Sequence, residues 1–311
     1  MPAVLLGNGF SRAFDNERFD YAALYEAARF PERLENVFDA VDTKDFETVL
    51  RRLGQFLLLL PAYGVGAKIR ADVRSDRKLV RRSLIQALRA HHPDGPWALE
   101  DDEAERCATF LRQFRTIFTV NYDLLLYWVI VKHLTRVTDD GFRGTGTLTW
   151  QGRDAIGQNV YYVHGGLHLW EARTTVRKLR YEEGTTLIDQ LSAELEAGNY
   201  PLFVSEGTSA QKRERIYTNE YLSTAYAALR ANSEPLLVYG MRLGTPDRHI
   251  IDAIRASRTP ELTITYWDRA RASEVNRLRG VGNTLVASLR AKLGVAVPFN
   301  LVPASTVFRW R

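Results

Sequence analysis

The residues with the clearest potential for chemistry are an asparagine and a histidine that each follow a short apolar run. Asn121 comes directly after residues 116–120, and His164 comes directly after residues 160–163. Both runs are rich in β-branched and aromatic residues, which favours buried strands. An amide can donate and accept hydrogen bonds at once, and an imidazole titrates near physiological pH. The pair predicts a site that holds a hydroxyl or a water and activates it.

Two further features accompany this pair, and each allows two interpretations. Asp123 can cap the helix predicted to follow it through an Asx turn, or it can take part in the site. The segment Gly7-Asn8-Gly9-Phe10-Ser11 follows the first apolar run. Its glycines can bring backbone N–H groups close to a diphosphate, or they can simply form a tight turn. His168 lies four residues after His164, but no acidic or thiolate pair accompanies the two, so we predict no metal site.

The elements that must position these residues follow from the apolar pattern. Continuous apolar runs at residues 3–6, 116–120, 160–163, 201–204, 235–239 and 262–267 predict strands that are buried on both faces. Helical periodicity separates them, as in residues 124–134, and it dominates residues 36–114, with helices predicted near 38–60, 76–91 and 98–114. We predict one α/β domain over residues 1–311. It has a Rossmann-like, mostly parallel sheet with helices on both faces and a helical insertion at 36–114.

The composition limits the environment and the partners. The chain has 311 residues, a formal net charge of +5 and a single cysteine, Cys107. One cysteine excludes an intramolecular disulfide and a four-thiolate zinc site. No apolar segment is long enough to span a bilayer, and no secretory signal is recognisable, so we expect a cytoplasmic protein without a membrane anchor. The charge excess is modest and dispersed, so we expect no specific nucleic-acid partner.

The order of the motifs resembles the sirtuin (SIR2) superfamily. The motifs are Gly7 to Ser11, then Thr119-Val120-Asn121-Tyr122-Asp123, then His164-Gly165, then Gly207-Thr208-Ser209. The Asn-Tyr-Asp form, together with Val238-Tyr239-Gly240 and Asp247, is similar to the SIR2-like proteins of bacterial anti-phage defence.

The resemblance implies that NAD+ is the substrate, with Asn121 and His164 as catalytic residues. It also implies that the NAD-binding residues are Gly7, Asn8, Gly9, Ser11, Asp15, Asp123, Gly207, Thr208, Ser209, Gly240 and Asp268. Sirtuin deacylases carry four cysteines on a zinc ribbon, which this chain lacks. The resemblance therefore favours an NAD+ glycohydrolase that depletes cellular NAD in abortive infection.

Alternative functions stay open from the sequence. The chain could be a subunit that binds NAD or ADP-ribose without turnover, a protein deacylase or ADP-ribosyltransferase, or a purely structural subunit. An NAD hydrolase must be controlled, so we expect either a homo-oligomer or a regulatory or sensor protein encoded nearby. The docking surface is predicted on the helical insertion or on the carboxyl-terminal segment 307–311, whose aromatic and arginine residues suit an interface. Packing of this segment onto its own domain is an equally good interpretation.

Overall fold

The computed structural model describes residues 1–311 except 18, 20–24, 27, 29, 45, 65, 153–156, 173–174, 183–185 and 205–207. For residues 47, 51, 84, 85 and 87–91 only the backbone is described. In chain order the strands are β1 (Ala3–Leu6), β2 (Thr116–Thr119), β3 (Thr138–Asp139), β4 (Phe142–Arg143), β5 (Leu148–Trp150), β6 (Gln158–Tyr162), β7 (Gly165–Glu171), β8 (Val176–Lys178), β9 (Pro201–Phe203), β10 (Leu236–Tyr239), β11 (Leu262–Tyr266) and β12 (Phe299–Pro303).

The helices lie between the strands in the sequence. They are α1 (Asn8–Phe14), α2 (Glu32–Ala40), α3 (Phe46–Leu59), α4 (Ala67–His91), α5 (Asp101–Leu111), α6 (Leu125–Val129), α7 (Leu187–Ala197), α8 (Ser209–Tyr217), α9 (Glu220–Arg230), α10 (Arg248–Ala256) and α11 (Ala272–Leu293). A π-helical turn, Ile130–Leu134, continues α6. Among the residues that the structure describes, no helix combines the length and the apolarity that a membrane span needs.

A parallel sheet forms the centre of the fold. Seven described strands pair in the order β12-β11-β10-β1-β2-β6-β3, and every pairing in this sheet is parallel. The strands β1, β2 and β10 are buried along their whole length. Burial on both faces explains their unbroken apolar sequences, since helices flank the sheet. The predicted Rossmann-like α/β class is confirmed.

A second sheet was not predicted. Five described strands pair antiparallel in the order β4-β5-β8-β7-β9. The run at 201–204 was predicted to join the parallel sheet, and this prediction was wrong, because β9 pairs with β7 instead. An apolar run shows only that a strand is buried; it carries no information about the direction of its partner.

The helical region before β2 differs from the prediction mainly at its boundaries. The helix predicted near 38–60 is two helices, α2 and α3, and Asp42 between them has a φ of +53°. A residue in the left-handed region cannot continue a right-handed helix, so α2 ends there. The helices predicted near 76–91 and 98–114 correspond to α4 and α5.

The carboxyl-terminal segment is part of the core. Phe308 and Trp310 are buried, and Trp310 packs against Phe10 and Phe14 with ring centroids 5.1 and 5.0 Å away. Its indole Nε1 donates to the backbone oxygen of Phe10 at 3.0 Å. Of the two interpretations of this segment, packing onto its own domain is the one that the structure shows, because Phe308 and Trp310 are buried against α1 and its neighbours.

We expect Trp310→Ala to lower the free energy of unfolding by about 3–5 kcal/mol, since it removes a large buried side chain and a hydrogen bond to α1. Urea unfolding followed by circular dichroism measures the change. The matched control is Trp267→Ala, because Trp267 is 67% exposed and should cost little. Equal stability of the two variants would contradict the packing described for the tail.

Candidate functional site

The ends of four neighbouring strands lie at one level of the parallel sheet. Leu6, the last residue of β1, is paired with Thr119 of β2 on one side and with Tyr239 of β10 on the other. Thr119 is in turn paired with Tyr162 of β6. Asn121 and His164 therefore occupy equivalent positions, each two residues beyond a paired strand end. Neighbouring strands lie about 4.8 Å apart, so these loops form one rim. We call this edge the strand-end rim.

Asn121 is held by a buried hydrogen-bond network. Its Nδ2 donates to the backbone oxygen of Gly7 and to Ser11 Oγ, both at 3.0 Å. Ser11 Oγ donates to Asp123 Oδ2 at 2.7 Å. Asn121, Ser11 and Asp123 are each 5% exposed or less, so these polar groups depend on one another for partners. The network joins the loop after β1 to the loop after β2.

The two interpretations of Asp123 are both realised. Its Oδ1 accepts from the backbone N–H of Leu125 at 2.9 Å, which is the predicted Asx turn at the start of α6. Its other oxygen belongs to the network with Ser11. One carboxylate therefore starts the helix and fixes the site.

Both amide hydrogens of Asn121 are used within the protein. The described residues provide no donor to its Oδ1, which is the group left to contact a ligand. The sequence predicted that this amide both donates to a ligand and accepts from it. In the structure only Oδ1 is left, so the amide can only accept. Asn8 Oδ1, in the loop after β1, is also buried and has no hydrogen-bond partner among the described residues. Two unpaired acceptors suit a ligand with hydroxyl groups.

The glycines of the first loop serve a close contact between loops. The N–H groups of Gly7 and Gly9 donate to the oxygens of Tyr239 and Gly240 at 2.9 and 2.8 Å. A Cβ at Gly9 would lie 2.6 Å from the Cα of Gly240, and Gly240 itself has a φ of +68°. The chain crosses itself here too closely for a side chain. These N–H groups are engaged within the protein, which favours the turn interpretation over a diphosphate cradle.

His164 is paired with a second histidine that the sequence reasoning missed. Its Nε2 lies 2.8 Å from Nε2 of His249, which belongs to the first turn of α10. Ser209, at the start of α8, contacts His249 twice: its Oγ accepts from the backbone N–H at 2.7 Å and lies 3.2 Å from Nδ1. His249 lies close in sequence to Gly240 and Asp247, which were already singled out in the loop after β10. Attention to the rest of that loop could therefore have identified it from the sequence.

One assignment of the tautomers gives every contact a donor and an acceptor. The backbone of Val120 favours the protonated form of His164, so we assign a donor of that ring to it, and Nδ1 is the nitrogen left because Nε2 faces His249. The Nε2 of His164 is then an acceptor, and His249 must donate to it. Ser209 donates in turn to Nδ1 of His249. In this arrangement each ring nitrogen of the pair has a partner.

Both histidines remain neutral at physiological pH. Burial lowers the pKa of His164 well below its ordinary value of 6.5, and His249 and Lys212 add to that shift. Burial also lowers the pKa of His249 to about 4, with Lys212 and Arg213 contributing. Lys212, on α8, therefore opposes protonation of both rings. A neutral imidazole is the form that can accept a proton.

The remaining predicted residues lie in several places. Thr208 is exposed and caps α8, with Gln211 completing a capping box. Asp15 lies just past the end of α1 and accepts from the backbone N–H of Glu17 at 3.1 Å. Asp268 is exposed and binds Ser305, which joins the ends of β11 and β12. Gly207 lies outside the described residues. Of the three described residues, Asp15 touches the network through its backbone, because its N–H donates to the backbone oxygen of Ser11 at 3.1 Å.

The neutral histidine pair predicts a loss of stability in acid. Below pH 6.5 the unfolded chain binds protons at these rings while the folded chain does not, so the free energy of unfolding decreases as the pH is lowered. We expect His249→Gln to reduce that slope by up to about 1.4 kcal/mol per pH unit between pH 6.5 and the folded pKa. Urea titrations from pH 8 to pH 5 measure it. Above pH 7 the free energy of unfolding should depend on pH in the same way in the variant and the wild type. The same dependence over the whole range from pH 8 to pH 5 would refute the assignment.

The sequence profile described as Domain of unknown function (DUF4917) matches residues 4–299. A search of curated proteins finds no match to the chain. The matched stretch runs from within β1 to the start of β12, and it contains Ser11, Asn121, Asp123, His164 and His249. Because the match covers almost the whole chain and the entire strand-end rim, the chain belongs to the DUF4917 family.

Proposed function

We propose that this protein hydrolyses NAD+, releasing nicotinamide and ADP-ribose. The observation that carries the proposal is the equivalent position of Asn121 and His164 after the neighbouring strands β2 and β6. The order of motifs resembles the SIR2-like NAD hydrolases of anti-phage defence, and such an enzyme would act in abortive infection by depleting the NAD of its host.

The unpaired acceptors support NAD+ as the substrate. Ribose hydroxyls are donors, and Oδ1 of Asn121 and Oδ1 of Asn8 are acceptors without a described partner. The glycine loop supports the proposal less than the sequence suggested, because its N–H groups bind the loop after β10. We therefore base the proposal on recognition of the ribose by Asn121, with Asp123 and Ser11 holding that amide in place.

The proposed reaction needs a base and no strong acid. When the bond between C1′ of the ribose and the nicotinamide nitrogen breaks, its electron pair neutralises the pyridinium ring. The oxygen of a water molecule bonds to C1′, and a proton of that water passes to His164. His164 is neutral and so keeps a lone pair for the proton, but burial lowers its pKa, so a more polar environment after ligand binding is needed to make it a strong base. Asn121 would hold the ribose or the water through Oδ1.

The arrangement of the two histidines corresponds to a resting state of the proposed enzyme. Nε2 of His164 accepts a hydrogen bond from His249, so it can take a proton from water only after His249 withdraws. His249 lies in the first turn of α10, so a movement of that turn would release the base. Until then His249 keeps His164 in one tautomer and one orientation.

The occupied ring nitrogens also favour a second candidate function. A subunit that binds NAD or ADP-ribose without turnover would have no need of a free base. The two candidates differ in one measurable product, because only the hydrolase releases nicotinamide.

Control of the activity stays a prediction. We expect self-assembly or a protein encoded nearby to switch the enzyme on. The helical region remains the predicted docking surface, since Phe56, Leu58 and Leu59 on α3 are 47%, 80% and 57% exposed. Single exposed apolar residues are common, and three on one short stretch of helix support the proposed docking surface.

We expect Asn121→Ala and His164→Ala each to lower nicotinamide release from NAD+ by at least about 10²-fold, because each removes a group that acts in the transition state. Nicotinamide is measured by chromatography after the protein is mixed with NAD+. Circular dichroism checks that each variant is folded. The matched controls are Asn300→Ala, in an exposed position of β12, and His133→Ala, which pairs with Glu105 near the protein surface. Turnover like the wild type in either site variant would refute the assignment.

We expect the purified chain alone to release nicotinamide slowly, and the proteins encoded beside its gene to accelerate the release, because the resting pair blocks the base. Turnover is measured with and without those proteins. A purified monomer with full activity would contradict the proposed control. Binding of NAD+ without release under every condition would favour the binding subunit.

A further inference from the structure

A cavity of about 800 Å³ opens between the loop after β10 and the helices α10 and α11. Four arginines and one carboxylate, Asp247, are among the residues that line it. This volume lies within the range of about 300–1,000 Å³ that is typical of small-molecule sites. None of the residues predicted to bind NAD lines it.

The lining carries more arginine than acid. Arg242 and Arg255 have carboxylate partners just outside the cavity, Glu274 at 3.4 Å and Asp252 at 2.8 Å. In the part of the chain that the structure describes, no salt bridge joins Arg248 or Arg277 to a carboxylate, although burial raises the pKa of Asp247 and the charge of Arg277 acts on that carboxylate to lower it. A guanidinium group presents several N–H donors in a fixed plane, which matches the oxygens of a phosphate. These two arginines favour an anionic ligand.

The loop that forms one wall is held in shape by an arginine. Leu243 has a φ of +48°, a conformation that residues with a side chain rarely adopt. Arg277, on α11, donates to the backbone oxygens of Leu243 and Arg242. Such a conformation persists where the surroundings hold it, and it is most frequent at ligand sites. The wall is therefore formed before a ligand arrives.

The rest of the wall is less polar. Pro246, Ile251 and Val281 present aliphatic surface beside the arginines. The carboxylate of Asp247 has a hydrogen bond with the backbone of Gly244, and its remaining lone pairs can accept from a hydroxyl group. A ligand that matches the whole lining has an apolar ring, hydroxyl groups and a charged phosphate end.

We propose that this cavity binds a nucleoside diphosphate, with its base against the aliphatic wall and its phosphates at Arg248 and Arg277. The site does not depend on NAD hydrolysis, because neither Asn121 nor His164 lines the cavity and because its test measures binding alone.

The first test fills the cavity. Gly280 lies on α11, and a Cβ built there meets no atom within 4 Å, so a side chain can enter the cavity without disturbing the fold. Isothermal titration calorimetry measures binding of ADP to the full chain. We expect the wild type and Gly280→Ala to bind ADP, and Gly280→Trp to bind it at least about ten-fold more weakly.

The second test changes the charge. We expect Arg248→Glu to weaken ADP binding at least about ten-fold, because it replaces a phosphate partner with a like charge. Arg258→Glu changes the net charge equally at an exposed residue outside the cavity and should leave the affinity unaltered. Adenosine should bind more weakly than ADP, and so should inorganic phosphate.

Three outcomes would overturn the proposal: no binding of ADP to the wild type at millimolar concentration, equal affinity in Gly280→Trp, or inorganic phosphate binding as tightly as ADP. The first two would remove the site, and the third would make it a simple anion site. These experiments do not measure nicotinamide release. A negative result for ADP binding would therefore say nothing about the proposed NAD+ hydrolysis.

Discussion

The level pairing of four parallel strands is the constraint on which the candidate site depends. Because β10, β1, β2 and β6 end in register, the residues that follow them share one rim. The loops after β1 and β10 then meet so closely that Gly9 and Gly240 leave no room for a side chain. This contact holds Gly7 in place, and the backbone oxygen of Gly7 in turn receives Asn121. A one-residue shift of any of these strands would move its polar residue away from the rim.

Burial gives the polar residues of the rim their properties. Ser11, Asn121 and Asp123 are removed from water, so they bind one another in a single arrangement. The same burial keeps His164 and His249 neutral, and it lets one ring serve as the hydrogen-bond partner of the other. The site is therefore rigid around Asn121 and closed around His164. The element that could open it is the first turn of α10, which also borders the arginine-lined cavity.

Much of the fold was predictable because each buried parallel strand is a continuous apolar run in the sequence. The strands β1, β2, β6, β10 and β11 were each visible as an apolar run that ends at Gly, Asn, His or Asp. The second sheet was not predictable, because its short strands lack a continuous apolar pattern and β9 resembles a strand of the parallel sheet. Trp310 looked like an interface residue by its type, yet it packs on α1, and only the arrangement of remote elements could show this.

The sequence by itself determined the α/β class and the candidate side chains Asn121 and His164, because strand burial and the residue after each strand are local properties. Tertiary structure decided which groups remain available for chemistry. It used both amide hydrogens of Asn121, engaged the N–H groups of the glycine loop and set His249 against His164. It also gathered Arg248 and Arg277 from separate helices into one cavity. These contacts join residues far apart in the chain, and no local pattern records them.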